Sequence, residues 1–411
     1  MRHEMKTSII ICTYNRSELL KDSVLAIQNQ DYPSSNYEIL VVDNNSTDDT
    51  RAVTELLAAS SPVRTRYIFE KNQGLSFARN AGIQNASGEV LIFVDDDIAA
   101  ESQWLNEMVR AFDNPIVAAA GGPIRPIWPF EKPEWLTSKW HGFLTINEFA
   151  GAAKTGEFKG PYEYPWGANI AFRKEIFETV GMFPTDLGRI GKCLLSNEEL
   201  GLCRKIEAAG RRIKFAPEAV IFHKIAPERI SKQWYYHRTY WQGRSNAVMN
   251  VNDNAELYQR LTSYLDSLVK YELDSTFSEF DRKCMNRETL GYIYQLAVSQ
   301  QNGNIASVFR SLKMLRISLK RIIRKAATHI SPQPTINVID GLLDSLKSEN
   351  TQIQDRLDEM HAVIAAKDES IRQKEEQVAE LLSSMSWKVT KPLRFIYGKM
   401  KRLTSPFLSL F

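Results

Sequence analysis

The feature that most limits how this chain can fold is the regular exchange of short apolar runs with helical patterns over residues 7–97. Thr7 to Cys12 is an apolar run, followed by polar Thr13-Tyr14-Asn15-Arg16 and a helical pattern from Ser17 to Gln28. Tyr37 to Val42 reads as a second strand ending in Asp43-Asn44-Asn45-Ser46, with Ser46 or Thr47 as the N-cap of a helix running to about Ala59. Val63 to Phe69 reads as a third strand, Leu75 to Asn85 as another helix and Glu89 to Val94 as a fourth strand. Continuous apolar strands joined by helices predict an α/β fold whose mainly parallel sheet is covered on both faces, with right-handed crossovers. Ligands of such sheets sit beyond the carboxyl ends of the strands. Thr13-Tyr14-Asn15, Asp43-Asn44-Asn45 and Asp95-Asp96-Asp97 should therefore converge on one crevice.

Asp95-Asp96-Asp97 directly follows the apolar stretch Val90 to Val94. Adjacent carboxylates repel, so a fold that puts three at the mouth of a buried strand must neutralise them, most simply with a divalent cation that could in turn hold a phosphate. The alternative is a solvated acidic turn. No G-x-G-x-x-G follows the first strand and no G-x-x-x-x-G-K-[ST] occurs, which argues against a dinucleotide oxidoreductase or a P-loop enzyme. Phosphates without a glycine cradle need a cation instead.

Four motifs in order, Ser8 to Arg16, Val41 to Asp48, Asn72 to Gly82 and the aspartates, resemble family 2 glycosyltransferases of the GT-A fold. The resemblance extends through Trp166 to Arg173 and Asn197 to Leu202, to about residue 245. It implies that Thr13, Tyr14, Asn15, Asp43, Arg79, Asp95 and Asp96 serve the nucleotide, with Asp43 accepting a hydrogen bond from the base. It implies that Asp97, with Asp95, binds Mg²⁺ or Mn²⁺ bridging the donor diphosphate, and that His223 stands near that metal. Glu199 matches the family's catalytic base, with Glu198 as the alternate. Trp166 and Asn169 fall on the acceptor side. The competing reading of Asn197-Glu198-Glu199 is a capped helix start, Leu200 to Ala208, with no catalysis. Arg229, Arg238 and Arg244 lie in an aromatic segment that could cover the phosphates or simply pack against the sheet, and Pro123 to Pro165 suits a mobile acceptor-facing loop.

A net charge of +3 on 411 residues, with 25% charged, argues neither for nor against a nucleic-acid role, and no nucleic-acid partner is expected. The cysteines, Cys12, Cys193, Cys203 and Cys284, lack C-x-x-C spacing and suggest neither zinc nor a disulfide framework. No signal peptide or membrane-spanning run is evident, so the expected location is cytoplasmic, at the inner face of the cell membrane. Arg310 to Lys325 reads as a basic amphipathic helix, for membrane contact or for docking on the catalytic domain. Leu343 to Leu381 carries three- and four-residue spacings of a coiled-coil seam, predicting a homo-oligomer, with Asn350 favouring a dimer.

The expected organisation is a catalytic domain over 1–245, a helical region over 246–330, a coiled coil over 338–383 and a basic, aromatic tail over 384–411. The expected reaction is metal-dependent, inverting transfer of a sugar from a nucleoside-diphosphate sugar to a glycan or lipid-linked glycan in surface polysaccharide synthesis. A nucleotidyltransferase or a coiled-coil scaffold with a degenerate transferase domain are the alternatives.

Overall fold

The apolar runs form strands that are buried because the sheet is covered on both sides. In the computed structural model, which describes residues 5–160, 163–191, 193–250 and 276–299, β1 (Thr7–Thr13), β2 (Tyr37–Asp43) and β4 (Val90–Val94) lie inside an eight-stranded sheet. Alternate residues feed two cores: Ile9, Ile11 and Ile92 pack on one face, Ile10, Leu40 and Phe93 on the other. The sheet continues through β3 (Arg64–Phe69), β6 (Val117–Gly121), β8 (Glu157–Phe158), β9 (Asn169–Arg173) and β10 (Arg212–Phe215), in the order β3-β2-β1-β4-β9-β6-β10-β8. Strands β3, β2, β1 and β4 run parallel, as the strand-helix alternation requires. β9 inserts antiparallel between β4 and β6, so the sheet is mixed. A second sheet joins β5 (Ile98–Ala100), β7 (Ile124–Ile127) and β11 (Ile221–Lys224), directly after the aspartates.

Helices α1 (Ser17–Gln28), α2 (Thr50–Ala59) and α3 (Leu75–Asn85) connect the first strands. The expected N-cap of α2 at Ser46 or Thr47 is corrected to Asp49. Ser46 and Thr47 are engaged elsewhere: Ser46 Oγ accepts from the Asn15 N–H at 2.9 Å, and the Thr47 N–H donates to Asn15 Oδ1 at 2.7 Å, tying the β1 and β2 loops together. Asp48 accepts from the N–H groups of Ser17 at 3.0 Å and Thr50 at 3.1 Å, so one carboxylate serves two helix starts. Gly74, at φ 142°, admits a backbone turn into α3 that a side chain would strain.

The stretch from Pro123 to Pro165, expected as a loop, instead holds β7, a 3-10 turn over Ser138–Leu144, α5 (Ala150–Thr155) and β8. These elements are too short to show a period. Leu136, Trp140 and Leu144 are buried against Tyr235 of α8 (Lys232–Asn250) and Phe280 of α9 (Glu279–Ser299), which brings their core from far along the chain. The basic amphipathic helix, the coiled coil and the tail lie outside the described residues.

Candidate functional site

Beyond the carboxyl ends of β1, β2 and β4 opens a cleft of about 640 Å³ lined by Thr13, Tyr14, Asn44 and the three aspartates, with Trp166, Glu198 and Glu199 also lining it. Three loops adjacent to parallel strand ends supply the first group because register holds Thr13 beside Asp43 and Ile11 beside Val94.

The aspartates find charge partners within the chain. Arg16 donates from Nη1 to Asp96 Oδ1 at 2.5 Å and from Nη2 to Asp97 Oδ2 at 2.6 Å, and Thr13 Oγ1 donates to Asp96 Oδ2 at 2.7 Å. Burial, resisted by Arg16, pushes the Asp96 carboxyl up to about 7. Burial acts the same way on Asp97, but His223 and Arg16 outweigh it and hold that carboxyl below the usual range. Asp95 is half-buried and faces the cleft. An arginine thus supplies part of the neutralisation that the triplet alone assigns to a cation.

His223 is 1% exposed and its Nδ1 lies 2.9 Å from the carbonyl oxygen of Leu144. A carbonyl only accepts, so Nδ1 carries a proton, and a neutral ring then presents the Nε2 lone pair to Asp97 Oδ1 at 3.3 Å. That oxygen is buried and has no hydrogen-bond partner. Two acceptors facing each other call for positive charge, either an imidazolium or a cation shared by both, and a mixed carboxylate–imidazole pair suits Mn²⁺ better than Mg²⁺, which prefers oxygen ligands. Among the described residues no three acidic, histidine or cysteine side chains form a complete metal cluster, so protein donors alone do not fill a coordination shell.

Glu198 and Glu199 open α7 (Glu198–Ala208), two residues earlier than the sequence pattern suggests. Capping does not explain them: Asn197, at φ 80°, makes no side-chain cap and instead donates to Asn246 Oδ1 of α8 at 2.9 Å. Glu198 is buried and accepts from Arg79 Nη1 at 2.5 Å, while the Arg79 guanidinium lies 5.2 Å from the Phe183 ring. Arg79, expected at the nucleotide, is thus committed to a carboxylate at the cleft wall. Glu199 Oε1 accepts from the Gly167 N–H at 3.3 Å, and its Oε2 is buried without a partner. Burial and the neighbouring Glu198 push the Glu199 carboxyl up to about 7. A carboxylate with one open, desolvated oxygen beside a cleft can take a proton near neutral pH.

Other expected site residues are distributed unevenly. Tyr14 is 40% exposed in the cleft. Asp43 is buried and is not among the residues lining the cleft, its oxygens accepting from the Ser46 N–H at 2.8 Å and the Tyr67 hydroxyl at 2.7 Å. Asn15 clamps the β2 loop. Trp166 is half-buried against Phe149, ring centroids 5.6 Å apart. Asn169, expected on the acceptor side, is fully buried: it accepts from Trp104 Nε1 at 3.0 Å and donates to the carbonyls of Ala219 at 2.8 Å and Pro123 at 3.2 Å, joining β9 to the segments that lead into β11 and β7. Sequence reasoning missed Arg16, Arg189 and Gln73, which also line the cleft. Arg16 stood inside a quoted motif; nothing local marks Arg189.

The comparisons with known proteins define the class. Residues 8–181 match the family model described as Glycosyl transferase family 2. Glucosyl-dolichyl phosphate glucuronosyltransferase of Haloferax volcanii is 29% identical over 251 residues, covering 60% of this chain and 78% of that protein. Succinoglycan biosynthesis protein ExoM of Rhizobium meliloti is 26% identical over 239 residues, covering 57% of this chain and 72% of that protein. Among solved structures, mannosyltransferase PcManGT from Pyrobaculum calidifontis is 18% identical with a TM-score of 0.46, covering 85% of this chain and 88% of that one.

This chain is a glycosyltransferase of mixed α/β architecture whose residues 8–181 match the family 2 model. Glu198, Glu199 and His223 lie beyond the matched residues. No helix among the described residues is long and apolar enough to cross a membrane.

Proposed function

We propose that this glycosyltransferase moves a sugar, with inversion, from a nucleoside-diphosphate donor to a hydroxyl of a glycan or lipid-linked glycan in surface polysaccharide synthesis at the inner face of the cell membrane. The names of the relatives from Haloferax and Rhizobium support a lipid-phosphate or polysaccharide setting. The observation that carries the reading is the open, desolvated carboxylate of Glu199 lining the same cleft as the aspartates.

In this reading Tyr14, Asn44 and Thr13 bound the nucleotide end. Asp97 and His223, with Asp95 in the same cleft, would supply only part of the shell of a divalent cation, Mn²⁺ or Mg²⁺, which when bound would stabilise negative charge on the departing diphosphate. Arg229, which lines the cleft, adds positive charge near Asp95 and Asp97. Glu199 removes the proton from the acceptor hydroxyl as that oxygen attacks the anomeric carbon opposite the leaving group. The hydroxyl proton passes to Glu199, the new C–O bond forms and the nucleoside diphosphate leaves. Glu198, paired with Arg79, shapes the site and keeps Glu199 protonatable rather than competing with it. Residues 338–383 are proposed to join copies of the chain, and the basic tail to contact the membrane surface.

The test is thermal unfolding with UDP, GDP, dTDP and CDP, each with and without Mn²⁺, on wild type and Asp97→Ala. A nucleotide at a hundredfold excess over its Kd stabilises the native state by about 2.7 kcal/mol. One nucleotide should act on the wild type only with metal and should not act on the variant. No stabilisation by any of the four would overturn the donor site.

A further inference from the structure

The cleft carries arginines that the transfer step leaves unused. Arg16 is matched to Asp96 and Asp97, and Arg79 to Glu198. Arg189 and Arg238 line the same cleft, and neither has a carboxylate of the described residues within salt-bridge distance.

Arg238, on α8, is 7% exposed. Its Nη2 donates to Ser196 Oγ at 3.2 Å and to Gln242 Oε1 at 3.0 Å, and its guanidinium carbon lies 5.6 Å from the Phe143 ring. Nε and Nη1 are out of contact with water and meet no acceptor. Burying a guanidinium is costly unless its charge and donors are matched, and a hydroxyl and an amide bring no charge. Glu198, Glu288 and Glu199 favour the cation, yet Glu198 is already paired, and burial pushes both Glu199 and Glu288 up to about 7. The surroundings of Arg238 therefore lack a committed counter-charge.

The neighbours also say which side of the cleft this is. Arg229 feels Arg189, Asp97, Arg16 and Asp95, whereas Arg238 feels Arg189, Glu198, Glu288 and Glu199. Arg229 keeps company with the aspartates, Arg238 with the glutamates, and Arg189 acts on both arginines. A guanidinium anchored at Nη2 by Ser196 and Gln242 keeps Nε and Nη1 as unused donors, a pair that suits phosphate and carboxylate oxygens.

We infer that Arg189 and Arg238 form an oxyanion-binding subsite on the Glu199 side of the cleft, so that the acceptor carries a phosphate or a carboxylate close to its reacting hydroxyl. The inference rests on the transfer reading above, and its test is separable from that reading. Full-length protein, wild type and the variants Arg238→Gln, Arg238→Lys and Arg189→Gln, is titrated calorimetrically with inorganic phosphate and with glucuronate. Each titration is run without nucleotide and then with saturating UDP or GDP and Mn²⁺.

Phosphate or glucuronate should bind the wild type with the nucleotide already in place. Affinity should fall at least tenfold in Arg238→Gln and in Arg189→Gln, with partial recovery in Arg238→Lys. The stronger of the two ligands separates a phosphate-bearing from an acidic-sugar acceptor. The melting temperature of ligand-free Arg238→Gln should not fall, since an unmatched buried charge is removed; Arg189→Gln, at a half-exposed position, carries the test if it does. Unchanged affinity in both glutamine variants, or no binding of either anion to the wild type, overturns the subsite. Anion binding abolished by the nucleotide, together with weaker nucleotide binding in Arg238→Gln, also overturns it, because Arg238 then serves the donor diphosphate. Failure of every nucleotide to bind would instead strike the transfer reading, and the nucleotide-free titrations would still report on the subsite.

Discussion

Glu199 stands at the start of a helix, where the dipole favours a charged carboxylate, yet burial and Glu198 keep its proton on up to about pH 7. As the base it must be ionised, so transfer by the wild type should fall about tenfold per pH unit below that point. Glu199→Gln should abolish transfer while nucleotide and Mn²⁺ still stabilise the protein; retained transfer would end the assignment. Stability gives an independent sign. An acid raised from 4.5 to about 7 favours the folded state below 4.5 and loses that contribution as pH climbs through 7. Glu199→Gln should therefore gain stability relative to wild type between pH 5 and pH 8 in denaturant melts, and a constant difference would contradict the shift. At this scale the sequence revealed residue types better than partners. The aspartate triplet and the glutamate pair were legible, because charge beside an apolar run is unusual. That Arg16 grips two of the aspartates, or that Asn169 is locked between two carbonyls, depends on strand ends meeting across long stretches of chain.

Two helices with no apolar stripe of their own back the site. α8 and α9 touch backbone to backbone: a Cβ at Gly243 would lie 1.7 Å from the Glu288 carbonyl oxygen, and one at Gly291 would lie 1.8 Å from that of Tyr240. Carbonyls cannot move aside as a side-chain end can, so the pair must separate if either glycine gains a side chain. Because α8 also holds the start of α7, through Asn246 to Asn197 and Ser245 to Ser196, the separation would reach Glu199's helix. Gly243→Ala and Gly291→Ala should each cost about 1–3 kcal/mol in equilibrium unfolding. A loss under about 0.5 kcal/mol, the range of an ordinary surface change, would refute the close approach. A glycine inside a helix pattern announces that something approaches, never what.

At the level of the whole chain, contacts divide it into Met1–Thr335 and Ile336–Phe411, a boundary near the Ser331-Pro332-Gln333-Pro334 break. If the heptad-like spacing after that break joins copies of the chain, a version ending at Ser331 should lose the oligomer by light scattering, and an unchanged mass would reject the idea. The parallel half of the sheet, β3-β2-β1-β4 with its helices, was readable from the amino-acid order alone. Local periodicity and capping act within a few residues, and parallel strands need a crossover between them. The same order placed three polar loops at one end of that sheet. The antiparallel insertion of β9, the ordered turns between Pro123 and Pro165, the pairing of Arg16 and His223 with the aspartates and the unmatched Arg238 were decided only by tertiary structure. Each rests on contacts between residues far apart in sequence, whose burial and charge balance arise when the chain closes on itself and which no local pattern encodes.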